Sequence, residues 1–271
     1  MATIVILEHE LQRHVAVPHM VRLLAERWRA RGHRVLVHHG VENPPSGDVA
    51  ILHVDLTVVP EAYRALVAHY PRVVNGKVFD ISKSHFSQAL VRPPTIWNGP
   101  VIVKTEANFG GRPEQLLRSV EAQTGARSKI PRGPLAEAYP IYESVRQVPE
   151  PVWRSPGLVV EKFLPEKDNR GYYLHVWKFL GDFEYCERWF ARDPIVKGGN
   201  TLERMPIALP DEIRKWRVTL GFDYGKFDYV RSGGRWVLID VNKTPAAPYP
   251  IDSPAARKNL EIADGINFFL R

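Results

Sequence analysis

The chain has 271 residues, 44% of them hydrophobic, which is enough for one large domain or two modest ones with a real core. Lys plus Arg number 37 against 30 Asp plus Glu, a net charge of +7, but no run of five or six basic residues occurs, so a basic soluble surface is preferred to a nucleic-acid-binding role. No apolar run approaches the length a bilayer needs, the N-terminus lacks the features of a signal peptide, and the single cysteine, Cys186, excludes an intrachain disulfide; a reducing, cytoplasmic setting fits. Part of the basic surplus is free to line a pocket for phosphates or for an acidic substrate.

In chain order, residues 3–7 (TIVIL) read as a buried strand. Val17 to Arg31 carries Val21, Leu24, Ala25 and Trp28 at helical spacing, and Gly32 ends that helix. RVLVHH is the next strand, NPPSGD a loop and VAILHVDL a third strand. Pro60 to Tyr70 reads as a helix with proline at its start, and PRVVNG as a short strand. This β-α-β-β-α-β order predicts a small α/β domain with a mostly parallel sheet over residues 1–75. TIVIL is not followed by the Gly-rich turn of a dinucleotide site, so this domain is read as a substrate-binding or scaffolding unit.

A second region runs from Gly76 to the C-terminus. It reads as helix (Ser82–Leu90), strand (VIVKT), Gly-rich loop (NFGGR) and helix (Pro113–Thr124). The proline-spaced segment Lys129 to Pro156 argues against one long helix. LVVEKF, YYLHVWKFL, DFEYCERWF, GKFDYVR and RWVLIDVN then alternate like antiparallel strands.

The last two strands carry Asp228, Asp240 and Asn242. Alternation puts Asp240 and Asn242 on one face of RWVLIDVN, with Leu238. A three-residue turn, Ser232–Gly234, would place Arg231 opposite Arg235, Asp228 opposite Leu238 and Lys226 opposite Asp240. Asp228 and Asp240 would then be diagonal neighbours, roughly 7–8 Å apart at Cα. A two-residue turn would send Asp228 to the other face. Such oxygen ligands suit Mg²⁺ beside substrate phosphates. By themselves Asp240 and Asn242 read equally well as the start of a polar loop.

Upstream, Lys104 sits on VIVKT just before Gly110 and Gly111. Glycines let backbone N–H groups approach phosphates, and a lysine at a strand end adds a point charge, although most Gly-Gly loops are only turns. Lys83, at a helix start, is a similar case. Glu161-Lys162-Phe163-Leu164-Pro165 is a strand leaving its sheet at a proline, which can offer backbone edges and apolar faces to adenine. Asp168 follows within reach of ribose hydroxyls. In isolation this stretch reads as an exposed edge with alternating charges.

A helix-start lysine, a strand lysine with a glycine loop, Glu-Lys-x-Leu with an acid seven residues after the Glu, and then Asp…Asp-x-Asn together resemble the ATP-grasp superfamily over residues 76–250. The resemblance implies an N-terminal α/β domain (1–75) followed by an ATP-grasp domain (76–271) of two α+β subdomains, the smaller lid at about 100–165. Nucleotide would lie between them. Lys83 and Lys104 would contact the phosphates of ATP, with Gly110 and Gly111 in a mobile loop closing over them. Glu161, Lys162 and Leu164 would frame adenine, and Asp168 would hold the ribose. Asp228, Asp240 and Asn242 would hold Mg²⁺, with Mn²⁺ as an alternative. Many members have glutamate where this chain has Asp240, and the loop here is less glycine-rich than many.

The implied activity is that of a ligase. A carboxylate becomes an acylphosphate at the expense of ATP, and an amine or similar nucleophile attacks it. The expected partners are a small-molecule carboxylate and an amine, or a peptide, with neither nucleic acid nor membrane. A kinase on the same scaffold, or a non-catalytic nucleotide-binding protein, are the alternatives. Among Arg170, Arg188, Arg192, Lys197, Lys226 and Lys243, the residues chosen for chemistry are Arg192 and Lys226. Arg188 and Arg192 have the same strand parity, so both would face the site. Lys226 also reads as an ion-pair partner of Asp240. His9, His14, His19, His38, His39 and His53 show no metal spacing with a third ligand. HELQRH puts its histidines five apart rather than in the His-Glu-x-x-His pattern, so all six read as ordinary polar positions. The acceptor substrate and the oligomeric state are not legible.

Overall fold

A computed structural model describes residues 1–126, 130–136, 138–250 and 252–271; Lys129, the first residue of the proline-spaced segment, lies outside the described residues. The first apolar run forms β1 (Thr3–Glu8), buried along nearly its whole length. Helix α1 (Met20–Ala30) buries Met20, Val21, Leu24, Ala25 and Trp28 on one face. It starts three residues later than the periodicity suggests because Pro18 pushes Val17 out of the helical region. Gly32, at φ +83°, turns the chain into β2 (Arg34–His39). The third strand, β3 (Val49–Leu52), stops short of the apolar run that continues to Leu56. His53 still donates its N–H to Leu7 O at 2.9 Å, and the chain then leaves the sheet. After α2 (Ala62–Val67) comes β4 (Val73–Val74). These four strands form a parallel sheet in the order β2-β1-β3-β4.

The expected helix over 82–90 is only one turn, α3 (Lys83–Phe86). Next come β5 (Val101–Thr105), α4 (Arg112–Thr124), β6 (Ile141–Tyr142), α5 (Glu150–Arg154) and β7 (Leu158–Lys162). The antiparallel sheet β6-β5-β7 is built from them. The largest sheet is also antiparallel. It comprises β8 (Glu166–Lys167), β9 (Tyr172–Leu180), β10 (Phe183–Ala191), β11 (Glu203–Pro206), β12 (Tyr224–Ser232) and β13 (Arg235–Asn242), in the order β11-β10-β9-β12-β13 with β8 on β9. Helix α6 (Asp211–Leu220) precedes β12, and α7 (Pro254–Leu260) leads into a 3₁₀ segment, Glu261–Phe269. Among the described residues no helix is long and apolar enough to cross a membrane.

Alternation gives the large sheet two different faces. Trp177, Phe179, Phe227, Tyr229, Leu238 and Val241 pack with Ile213 of α6 on one side. Leu174, Val176, Trp189 and Val230 line the other, towards the β6-β5-β7 sheet. The parallel sheet does not keep its core to itself. Ile4, Ile6, Met20 and Trp28 pack in one cluster with Leu180, Tyr224, Ile262 and Ile266. Trp28 Nε1 donates to Ala263 O at 2.7 Å. Asn75, at φ +60° and fully buried, joins the two sheets. Its Oδ1 accepts from the N–H groups of Asp223 and Tyr224, and its Nδ2 donates to Tyr224 O. The site described next sits where the two antiparallel sheets face each other.

Candidate functional site

The hairpin that carries the acids is built differently from the expectation, yet still brings them together. Ser232 pairs with Arg235, so the turn is the two residues Gly233-Gly234, at φ +56° and +79°. That is the left-handed pair typical of tight hairpins. A regular register would then have sent Asp228 to the wrong face. It does not, because the ladder slips by one residue beside Tyr229: Tyr229 pairs with Leu238, but Asp228 pairs with Asp240. Ile239 is the extra residue, and a bulge of this kind turns two successive side chains to one side. Ile239 and Asp240 both line the cavity, while Leu238 packs with Tyr229 and Val241 on the opposite face. Three details of the sequence reading are thereby corrected. The acids are directly paired rather than diagonal, with Cβ atoms about 4.5–5.5 Å apart. Asp240 does not share a face with Leu238. Lys226 lies opposite Asn242, not Asp240.

Lysines meet these carboxylates inside a cavity of ≈ 400 Å³. Lys226 Nζ lies 2.7 Å from Asp228 Oδ2, and Lys83 Nζ lies 3.5 Å from Asp240 Oδ1. Lys104 Nζ lies 2.6 Å from Glu161 Oε2 across β5 and β7. Burial and the Asp240 charge push the Asp228 carboxyl above its ordinary range, against the pull of Lys226. Asp228 Oδ1 is buried without a hydrogen-bond partner. Glu161 and Asp240 in turn hold the Lys104 ammonium above its ordinary range, against the burial that disfavours its charge. Two paired carboxylates, one of them buried with an unsatisfied oxygen, facing a set of ammonium groups fit a divalent cation carrying phosphate oxygens.

The other candidates divide. Leu164 lines an apolar part of the cavity with Ile102, Leu174, Trp189, Val230 and Ile239. The N–H groups of Lys162 and Phe163 already donate to Ala89 O and Pro100 O, so neither is available to a ring edge. Lys162 Nζ lies over the Trp97 ring, and the Glu161 side chain points to Lys104 rather than framing a ring. Asp168 is exposed and outside the cavity wall, accepting from Tyr173 OH at 2.6 Å and from the N–H of Arg170. Gly110 and Gly111, at φ +69° and +79°, lie behind the wall. A Cβ on either would come within 2.8 Å of a carbonyl of the 134–136 segment. Phe109 and Arg112, which flank them, do line the cavity. Asn242 is outside the lining, its Oδ1 accepting from the Thr244 N–H at 2.8 Å.

Strand parity explains which basic residues reach the site. On β10 the odd positions face it, so Trp189 lines the cavity while Arg188 points away and pairs with Glu166 at 3.0 Å. Arg192 has the parity of Arg188, lies beyond the end of β10 and is exposed; it does not line the cavity. Lys243 is fully buried elsewhere, donating to Val54 O and Leu56 O. Lys197 lines the cavity, with its ammonium over Tyr139. The sequence reading missed Arg112, Tyr139 and Lys178. Lys178 was detectable: it is a lysine inside the apolar strand HVWKFL, on the cavity side of β9. It is 4% exposed, donates to Asn259 Oδ1 at 2.8 Å, and burial, helped by Lys226, pushes its ammonium down to about 7.

The sequence matches no family model and no curated protein. Comparison with solved structures does find this architecture. The macrocyclase MdnC of Microcystis aeruginosa, bound with the precursor peptide MdnA, is similar at 12% identity and TM-score 0.54, covering 98% of this chain and 99% of its own. An ATP-grasp RimK domain protein of Sphaerobacter thermophilus is similar at 14% identity and TM-score 0.54, covering 99% and 100%. The D-alanine–D-alanine ligase of Bacillus anthracis, complexed with ATP, is similar at 13% identity and TM-score 0.50, covering 100% and 98%. Each likeness spans both chains almost completely and concerns the fold.

Proposed function

We propose a function for this chain from its fold, which is ATP-grasp: it is an ATP- and Mg²⁺-dependent ligase that activates a carboxylate as an acylphosphate for attack by an amine or similar nucleophile. The observation that carries the reading is the direct Asp228–Asp240 pair, with a bare buried oxygen, facing Lys83, Lys104 and Lys226 in one cavity. Asp228 and Asp240 would hold Mg²⁺, with Asn242 two pairs further along the ladder, opposite Lys226. The ion's contribution is charge neutralisation across the β- and γ-phosphates.

The chain's own groups account for the rest. Lys104 and Lys83 are released from Glu161 and Asp240 to the incoming phosphates and hold them in line. Leu164, Ile102 and Ile239 enclose the base. Lys226 stands beside Asp228 at the end of the phosphate run. There it stabilises charge on the transferred phosphoryl group without a proton transfer, since Asp228 and Asp240 keep its ammonium strongly charged. Phe109 and Arg112 border the mouth and exclude water when the loop over Gly110 and Gly111 closes. Asp168 at the rim would reach the ribose after giving up the Tyr173 hydroxyl. The acceptor is a small-molecule carboxylate with an amine, or a peptide. The macrocyclase likeness supports the peptide option already expected from the sequence.

The test is ADP release against panels of carboxylates and amines, with hydroxylamine added to trap an activated acyl group. A ligase releases ADP only with a carboxylate present and yields a hydroxamate. A phosphorylated acceptor without condensation would make the chain a kinase. Mg-ATP binding with no ADP release for any acceptor would make it a non-catalytic nucleotide-binding protein.

A further inference from the structure

Outside the nucleotide cavity, the parallel sheet carries an unexplained polar cluster. The chain leaves β1 at Glu8 and β3 just before His53, and His19 stands at the start of α1. In parallel sheets, ligands sit beyond the carboxyl ends of the strands where the strand order reverses, and β1 and β3 flank that reversal. Glu8 is 1%, His53 0% and His19 6% exposed. One donor atom from each lies within 4.8 Å of the others. Sequence spacing did not reveal this, because the three residues come from separate elements.

The two oxygens of Glu8 are treated differently. Oε2 meets Arg22 at 2.5 Å and His39 Nε2 at 3.2 Å. Oε1 makes no hydrogen bond, and neither ring nitrogen of His53 makes one. Their mutual approach, His53 Nδ1 to Glu8 Oε1, is 3.6 Å. Leaving three buried polar atoms unmet is costly, and native interiors avoid it unless something else occupies the space. His19 Nε2 is held at 3.1 Å from Asp55 Oδ2, the arrangement of a carboxylate that orients a metal-binding ring.

We propose that Glu8, His19 and His53 form a site for a divalent ion of the zinc type, separate from the Mg²⁺ position at Asp228 and Asp240. Two imidazoles and one carboxylate suit a borderline ion, whereas the acids of the nucleotide cavity suit a hard one. Bonds of about 2.0–2.2 Å put tetrahedral ligands roughly 3.4 Å apart, so donor atoms now within 4.8 Å of one another close by at most about 1.4 Å on binding. Glu8 and His19 line a cavity of ≈ 200 Å³ together with Gln12, Arg22 and Asp55, which leaves room for a fourth ligand such as water. The site also clamps two parts of the chain together. Asp55 Oδ1 accepts from Thr244 Oγ1 at 2.6 Å, and the Thr244 N–H donates to Asn242 Oδ1. Fixing His19 therefore fixes the loop after β13.

Metal-free protein is titrated with Zn²⁺ alone, without nucleotide, by calorimetry and thermal melting, and with Co²⁺ followed by visible absorption. The expected result is one tight equivalent, a raised Tm and the intense bands of four-coordinate Co²⁺. Glu8→Gln combined with His53→Asn should weaken that equivalent at least 100-fold, and Asp228→Asn combined with Asp240→Asn should leave it unchanged. If the first variant does not fold, His19→Gln, at the cavity wall, is read in the same titration with the same expected loss. The proposal is overturned if the wild type takes up no tight Zn²⁺, if these His and Glu variants bind like wild type, or if the Asp variant loses the equivalent.

Discussion

Lys178 shows how a single buried residue sets the behaviour of the region beside the site. Its ammonium is cut off from water, and its pKa falls from 10.5 to about 7. Between those values the unfolded chain binds a proton that the native chain does not. Stability therefore rises with pH across that window, and below about 7 the full penalty of the buried charge is present. Lys178→Met removes this dependence. In urea unfolding from pH 7 to 10, the wild type should gain on the variant by up to roughly 1.4 kcal/mol per pH unit. A difference that stays constant with pH would mean that Lys178 is charged in the native protein. At this scale the sequence was partly legible. Asp228, Asp240, Lys83, Lys104 and Lys226 were picked from type and order, and the fold gathers them in one cavity. Arg192, picked by parity, lies just beyond the end of β10, exposed and off the cavity wall. Asp168 and the two glycines were placed by resemblance, and the fold sets them at the rim and behind the wall.

At the level of elements, the β12–β13 hairpin decides whether the acids meet. Strand alternation was legible; the turn length and the bulge were not. Both are one-residue choices; Gly233-Gly234 suits a two-residue turn but the preceding Ser232 leaves a three-residue turn equally open, the bulge has no compositional signature, and the two departures offset each other. Gly233 and Gly234 hold left-handed backbone that a Cβ disfavours. Replacing both by alanine should cost about 2–4 kcal/mol in chemical denaturation, whereas Gly233→Asn, an Asn-Gly turn, should be nearly neutral. Equal stability of all three proteins would show that the turn is not the two-residue form. Short elements were the least legible: α3 is one turn where nine helical residues were expected, because the chain at Ala89–Val91 hydrogen-bonds to β7 instead, Ala89 O accepting from the Lys162 N–H and the Val91 N–H donating to Val160 O.

For the molecule as a whole, the order of strands and helices gave the architecture, with a parallel sheet first and antiparallel sheets after it. What the order could not give is how these parts share a core. Trp28 reaches the C-terminal 3₁₀ segment, Asn75 ties the parallel sheet to β12, and Lys243 ties the loop after β13 back to residues 54–56. These contacts span long sequence separations that no local pattern encodes. They hold the large sheet and its acids in a fixed place relative to the rest of the chain, as a nucleotide site needs. The most direct measurement of the central claim is calorimetric titration of Mg-ATP into the wild type and into Asp240→Ala combined with Asn242→Ala, with circular dichroism to confirm the fold. The wild type should bind, and the variant should lose at least 100-fold in affinity, about 2.7 kcal/mol. A folded variant that binds Mg-ATP like the wild type would contradict the assignment and place the site elsewhere.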